Sequence, residues 1–229
     1  MTTKIGWFLN SADAPWIELM FEKPEPLALF KHNPAQYSRC PALTHYCKNT
    51  FVVKCPVDLE LRFDRETKTV KYVSGSLEKS YVKEFIVQFP PSQWRNVDTP
   101  IFQFHIDNGF VADEPVWIEV APPFWNAPQL PGFVTPGTFD IYSWQRVLSY
   151  GFEWTDTSKN FKINRGDPLY HIRFRSRKPE DSFTIVPIEF TERLQRDVAR
   201  CQGVKFPLQG YSWSLMKFNR TLRPRKYIP

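Results

Sequence analysis

The stretch IFQFHIDNGF, residues 101–110, contains the pattern that decides the fold class. Its apolar and polar side chains alternate, with Phe102, Phe104 and Ile106 set against Gln103, His105 and Asp107. Successive side chains of a strand point to opposite faces of a sheet, so one face of this segment is apolar and the other is polar. The stretch therefore predicts a half-buried strand with His105 and Asp107 on its polar face.

The same period of two recurs in LYHIRFR, residues 169–175. Its polar face carries His171, Arg173 and Arg175, and large apolar residues lie between them. This segment also predicts a half-buried strand, so two strands each present a histidine on a polar stripe.

Several other segments are typical of short strands. LELRFD, residues 59–64, alternates in the same way, and the charged turn DRETK joins it to TVKYV in a predicted hairpin. Further strands are expected at VKEFIVQF, EPVWIEVAP and FKI, the last followed by a tight turn at NRGDP. The chain therefore consists mainly of β-structure.

One segment has the period of a helix. EFTERLQRDVARC places Phe190, Leu194 and Val198 four residues apart, with Gly203 just beyond its end. The chain holds 21 Pro and only 9 Gly among 229 residues, which favours short elements and disfavours parallel α/β repeats. Hydrophobic residues at 42% and charged residues at 24% are typical of an ordered globular chain.

These observations predict a single, mostly-β domain, a barrel or sandwich of the jelly-roll or double-stranded β-helix type. We expect a proline-rich arm over residues 1–36, a β core over 37–188, a short helix over 189–203 and a basic tail over 204–229. In the arm, proline denies a sheet one hydrogen-bond donor, so edge strands or irregular chain are expected there.

The formal net charge of +6 permits an acidic partner without requiring one. The clearest basic cluster is Arg220, Arg223, Arg225 and Lys226, which we interpret as a solvated tail. Nucleic-acid binding through this tail is a less favoured alternative. The first residues contain one lysine and no long apolar core, so neither a signal peptide nor a membrane span is expected and the protein is predicted to be cytoplasmic.

The four cysteines indicate reduced thiols rather than a disulfide framework. Cys40, His45, Cys47 and Cys55 have side chains of the types that bind zinc. Their irregular spacing disfavours a zinc site.

The two histidine-bearing strands raise an enzymatic alternative. His105, Asp107 and His171 are of the types that form a two-histidine, one-carboxylate triad for iron(II), and the spacing of His105 and Asp107 aims both at one point. The arrangement resembles that of the 2-oxoglutarate-dependent oxygenases. The resemblance implies an iron(II) cofactor, with Arg173 or Arg175 holding the carboxylate of 2-oxoglutarate. The alternative is that both polar stripes merely face water.

A second resemblance lies in TPGTFDIYSWQ and NFKINRGDPLYHIRF. These segments are similar to the dUTPase-type β-barrel, in which an acidic turn supplies the catalytic base. The resemblance implies that Asp140 activates water and that Tyr142 stacks on the base of a nucleotide.

A third resemblance covers roughly residues 37–180, which are similar to an uncharacterised family of bacterial and phage proteins. The residues that carry it are Arg39, Cys40, His105, Trp117, Pro122, Asp140, Trp154, Gly166, Asp167 and Pro168. It implies a bacterial or phage origin and supplies no activity.

The loop PPFWNAPQLPGFVTPGT carries three aromatic residues, Phe124, Trp125 and Phe133, between prolines. Loops often carry function, and aromatic residues are enriched among interface anchors. We therefore favour a binding module that presents these side chains to a protein partner. The iron(II) oxygenase and the nucleotide-binding barrel are the alternatives, and a stiff crossover with its aromatic side chains buried is the structural interpretation of the loop.

Overall fold

The computed structural model describes residues 2–10, 21–28, 40–203 and 212–229. Its strands are β1 (Thr2–Leu9), β2 (Glu25–Pro26), β3 (Thr50–Lys54), β4 (Leu59–Asp64), β5 (Thr69–Gly75), β6 (Ile86–Gln88), β7 (Ile101–Ala112), β8 (Trp117–Ala121), β9 (Gly132–Val134), β10 (Gly137–Asp140), β11 (Val147–Trp154), β12 (Phe161–Ile163), β13 (Pro168–Arg175) and β14 (Ser182–Pro187). Its α-helices are α1 (Pro41–Cys47), α2 (Lys79–Phe85), α3 (Glu192–Gly203) and α4 (Ser212–Leu222), and a 3-10 helix spans Pro91–Gln93.

Across the described ranges, the strands form three sheets. The six-stranded sheet has the order β14-β1-β7-β11-β9, with β6 also paired to β7. The five-stranded sheet has the order β10-β8-β13-β3-β2, and the three-stranded sheet has the order β12-β4-β5. All pairs are antiparallel except β1 with β14, which is parallel.

The two larger sheets face each other across an aromatic core. The ring centroids of Phe110 in β7 and Phe174 in β13 lie 5.7 Å apart. Tyr150 of β11 stacks on Tyr170 of β13, with ring centroids 3.5 Å apart. The three-stranded sheet extends this core through Phe161 of β12, which contacts rings of β7 and β11. The expected mostly-β fold is confirmed, and of the two expected architectures the protein has the sandwich.

The outer face of the six-stranded sheet is covered by α3. Leu194 and Val198 of this helix pack with Phe8 of β1 and Val111 of β7 in a second buried cluster. The chain approaches closely here, because a β-carbon added at Gly109 would lie 2.1 Å from the Phe8 ring. The predicted helix and its apolar face are thus confirmed. Within the described ranges, none of the helices has both the length and the apolar character that crossing a membrane requires.

The predicted hairpin of β4 and β5 is present, with Leu59, Leu61 and Phe63 buried on one face. The turn predicted at NRGDP is also present. Gly166 has a positive φ of 88°, and the Asp167 carboxylate accepts a hydrogen bond from the Asn164 amide at 2.8 Å. The predicted hairpin and the predicted turn are therefore both confirmed, because each is specified by residues that are close together in the sequence.

Three expectations need correction. Residues 2–9 form an interior strand, β1, rather than part of an arm, because they contain no proline and can donate hydrogen bonds to β7 and β14. In the segment expected to be one strand at 82–89, α2 runs to Phe85, which is buried, and only then does β6 begin. The expected solvated tail contains a helix, α4, and a docked segment described below. Of the expected arm, residues 1, 11–20 and 29–36 lie outside the described residues, and β2 is the one further strand among the described arm residues.

Candidate functional site

The structure does not bring together the two histidines of the predicted iron(II) site. His105 lies on β7 with its side chain exposed, whereas His171 lies on β13 in the opposite sheet. Their sequence neighbours Phe104 and Tyr170 point into the shared core, so both imidazoles point away from it, on opposite outer sides of the sandwich. The described residues contain no group of three or more histidine, cysteine or acidic side chains that could hold a metal ion.

The backbone at Asp107 adds a reason for this mismatch. His105 pairs with Ser149 and Asn108 pairs with Leu148, so the register between β7 and β11 skips Ile106 and Asp107. The side chain of Asp107 lies outside what the structure describes. A strand bulge of this kind locally redirects side chains, which the simple period of two does not include.

His171 is buried on the outer side of the five-stranded sheet, with 2% of its surface exposed. The Phe124 ring lies edge-on to it, with centroids 4.9 Å apart. Within the described residues neither ring nitrogen of His171 has a hydrogen-bond partner. Burial lowers the pKa of His171 to about 4, so the imidazole is neutral at pH 7.

Phe124 and Tyr46 form a half-exposed pair of rings above His171, which we call the aromatic patch. Phe124 comes from the proline-rich loop and is 46% exposed, whereas Tyr46 comes from α1 and is 40% exposed. Their ring centroids lie 5.9 Å apart in an edge-on arrangement. The guanidinium of Arg173 lies 4.4 Å from the centroid of the Tyr46 ring. The patch therefore rests on β13 through His171 and Arg173.

The proline-rich loop also forms a groove, which we call the proline groove. Its volume is about 460 Å³. The walls are mainly prolines and apolar side chains, and they comprise Pro122, Pro123, Pro128, Leu130, Pro131 and Phe133, with Lys159 at one side. Of the three aromatic residues predicted to contact a partner, Phe124 is therefore exposed, Phe133 lines the groove, and Trp125 is half-buried.

The residues predicted for nucleotide chemistry have structural partners. The Asp140 carboxylate accepts hydrogen bonds from the backbone amides of Tyr142 and Ser143, at 3.0 and 3.1 Å. The Tyr142 ring is covered by two guanidiniums, Arg220 at 4.7 Å and Arg223 at 4.2 Å. Asp140 thus caps a turn, and Tyr142 already stacks on cations where the resemblance would place a base.

Arg223 shows that the C-terminal segment is docked rather than a solvated tail. Its side chain is 3% exposed and donates hydrogen bonds to the carbonyl oxygens of Ala112 and Tyr142, at 2.8 and 2.7 Å. It also forms an ion pair with Asp113 at 3.2 Å. Part of the basic run expected to meet solvent or nucleic acid, namely Arg223, therefore forms contacts inside the protein.

The cysteines are free thiols, and only Cys40 is exposed. Cys55 donates a hydrogen bond to the Val57 carbonyl oxygen at 3.2 Å, and burial raises its pKa to about 12. The Cys55 sulfur is therefore protonated at neutral pH, unlike the thiolate that zinc binds. This geometry does not support the disfavoured zinc site.

Arg173 and Arg175 lie on the same outer face of β13, as the strand period predicts. Both approach Glu119 of β8, at 3.9 and 2.5 Å. No pattern in the sequence predicts that Tyr46 or Glu119 lies beside them. Pro41 at the start of α1 is the one local signal of a helix in that segment.

Several positions of the third resemblance have structural roles. Trp154 is fully buried and its indole donates to the Asp156 carbonyl oxygen, whereas Gly166, Asp167 and Pro168 form the turn before β13. Arg39 lies outside the described residues.

In comparisons with known proteins, neither a family model nor a curated protein matches the chain.

Proposed function

We propose that the protein is a binding module that contacts a protein partner through the aromatic patch and the proline groove. The observation that carries this proposal is the Phe124 ring, which is 46% exposed although it is held edge-on by both Tyr46 and His171. A large apolar ring in a fixed, half-exposed position is the kind of side chain that dominates binding energy in protein interfaces.

The loop also lowers the cost of binding. Pro122 and Pro123 directly precede Phe124, and proline fixes its own φ. A restrained ring loses less conformational freedom when a partner covers it, so more of the contact energy appears as affinity. The proline groove begins at the same two prolines and offers space for apolar side chains of the partner.

The two enzymatic alternatives have less support. An oxygenase needs iron(II) ligands that converge, whereas His105 and His171 lie on opposite outer sides of the sandwich. A nucleotide-binding barrel needs an accessible Tyr142 ring, whereas Arg220 and Arg223 lie over it. The aromatic patch needs no rearrangement to meet a partner.

Quantitative affinity capture from the source cell tests the proposal. We expect Phe124→Ala to reduce the capture of a specific partner by about thirtyfold or more, since truncating an interface anchor costs about 2 kcal/mol or more. Val97→Ala is the matched control, because Val97 is also apolar and exposed, at 67%, but belongs to neither the patch nor the groove. Equal capture by the wild-type protein and the Phe124→Ala variant, with both folded, would remove the patch from the proposal.

A further inference from the structure

A small pocket with cationic walls lies beyond the aromatic patch, at the end of β13. Its volume is about 90 Å³. The polar residues that line it are His45, Asn49, Arg173, Arg175, Ser176 and Lys178. They come from α1, from β13 and from the turns that follow these elements, so two separate stretches of the chain converge on one small space.

The cations of this pocket exceed the acidic groups that could neutralise them. None of the described residues that line the pocket is acidic. Glu119 of β8, outside the lining, forms an ion pair with Arg175, and its carboxylate lies 3.9 Å from Arg173. The other nearby acid, Asp181, accepts a hydrogen bond from Ser176 at 2.7 Å. Lys178 itself has neither an ion pair nor a side-chain hydrogen bond to any described residue. The pocket therefore keeps an excess of positive charge.

Arg173 has unfilled hydrogen-bonding capacity. Its side chain is only 20% exposed, and its closest carboxylate oxygen, on Glu119, is 3.9 Å away, which is too long for a hydrogen bond. In the part of the chain that the structure describes, its guanidinium forms no hydrogen bond and is held by the face of the Tyr46 ring instead. A guanidinium carries five donors in a fixed plane, so several of these donors are available to a ligand.

We propose that this pocket binds a phosphate group. Two guanidiniums and an ammonium match a dianionic oxyanion, and arginine forms paired hydrogen bonds with phosphate oxygens. The small volume suits a single phosphate group and leaves the rest of a phosphorylated molecule outside. The same chemistry serves a free phosphate ion and a phosphomonoester. This site uses neither Phe124 nor the proline groove, so it does not depend on the proposed protein partner.

Calorimetric titration with inorganic phosphate and with glycerol phosphate, at pH 7.5 and constant ionic strength, tests the proposal. We expect saturable binding at one site in the wild-type protein. Arg175→Gln should weaken it about tenfold, because a charge-assisted hydrogen bond is lost. Glu119→Gln should tighten it about threefold, because the carboxylate that competes for both arginines is removed. Tighter binding of glycerol phosphate than of phosphate would indicate a phosphorylated molecule as the ligand, and equal binding would indicate the free ion.

Arg177→Gln is the matched control. Arg177 lies between Arg175 and Lys178 in the sequence and is exposed, but it does not line the pocket. Its loss should change the affinity by less than about twofold, as expected for a solvent-screened charge. The proposal fails if neither anion binds saturably, if Arg177→Gln weakens binding as much as Arg175→Gln, or if Glu119→Gln weakens it. All three positions are partly or fully exposed, and melting temperatures would verify that each variant is folded.

Discussion

At the scale of single residues, His171 combines deep burial with two unpaired ring nitrogens in the described structure. An unpaired buried polar atom costs about 1–3 kcal/mol, and charging the ring there would cost more. Its direct neighbours across β3 and β8 are Val52 and Ala121, which offer it no counter-charge. The packing of the Phe124 ring against His171 therefore depends on a neutral His171 imidazole.

This dependence predicts a specific loss of stability in mild acid. The folded-state pKa of His171, about 4, lies below the value of about 6.5 expected in the unfolded chain. As the pH falls below about 6.5 the unfolded state binds the proton first, so stability falls until the folded pKa is reached. Between pH 7 and pH 5 this group should lower the free energy of unfolding by about 2 kcal/mol. Urea denaturation of the wild type and of His171→Phe, which cannot titrate, measures the difference.

Two observations would check the cause. An NMR titration of the His171 ring should give a pKa near 4, and Phe124→Ala should raise that pKa because water would reach the imidazole. If the wild type and His171→Phe lost stability equally between pH 7 and pH 5, the acid sensitivity would belong to other groups.

At the scale of elements, α3 stabilises the six-stranded sheet by covering its outer face. Leu194 is fully buried in the cluster with Phe8 and Val111, so Leu194→Ala should lower the free energy of unfolding by about 3 kcal/mol through the cavity that it leaves. The adjacent Arg193 is exposed on the same helix, and Arg193→Ala should change stability by no more than about 0.5 kcal/mol. Thermal or urea unfolding of both variants would measure this, and similar values for the two would show that the helix contributes little.

The elements predicted from sequence are those with strong local periodicity. The period of two identified β4, β7 and β13, and the period of four identified α3, because each repeats over at least two turns or three pleats. Periodicity did not identify the helix α2. There Val82 and Phe85 point into the structure at helical spacing, but the β-branched run at 86–87 favours a strand. Periodicity also could not include the bulge at Ile106 and Asp107, since a bulge is specified by pairing with β11.

The candidate site was predictable only in part, for the same reason. The sequence placed His171, Arg173 and Arg175 on one face of β13, and it singled out the proline-rich loop that carries Phe124. It could not show that α1 and the proline-rich loop cover that face, because their contacts join residues more than 40 positions apart, as between Tyr46 and Phe124. Nor could periodicity indicate which of two outward-facing histidines would be buried.

At the scale of the whole molecule, the two outer faces of the sandwich are covered differently. On the six-stranded side, α3 forms a buried apolar cluster. On the five-stranded side, α1 and the loop leave two rings half-exposed, with the cationic pocket beside them. The face that α3 covers supplies stability, and both sites that we propose for binding lie on the other face.

The docking of the C-terminal segment belongs to the stabilising side and can be tested through Arg223. This side chain ties the segment to β7 and to the turn at Tyr142. Its partner Asp113 also accepts hydrogen bonds from the backbone amides of Tyr227 and Ile228, at 2.8 and 3.1 Å. Arg223→Ala leaves a partly buried carboxylate and two carbonyl oxygens without their cation, so the free energy of unfolding should fall by about 3 kcal/mol. Arg225→Ala, at an exposed position two residues later, should change it by less than about 0.5 kcal/mol. Urea denaturation of both variants measures the contrast, and a solvated tail would instead give two small and equal values.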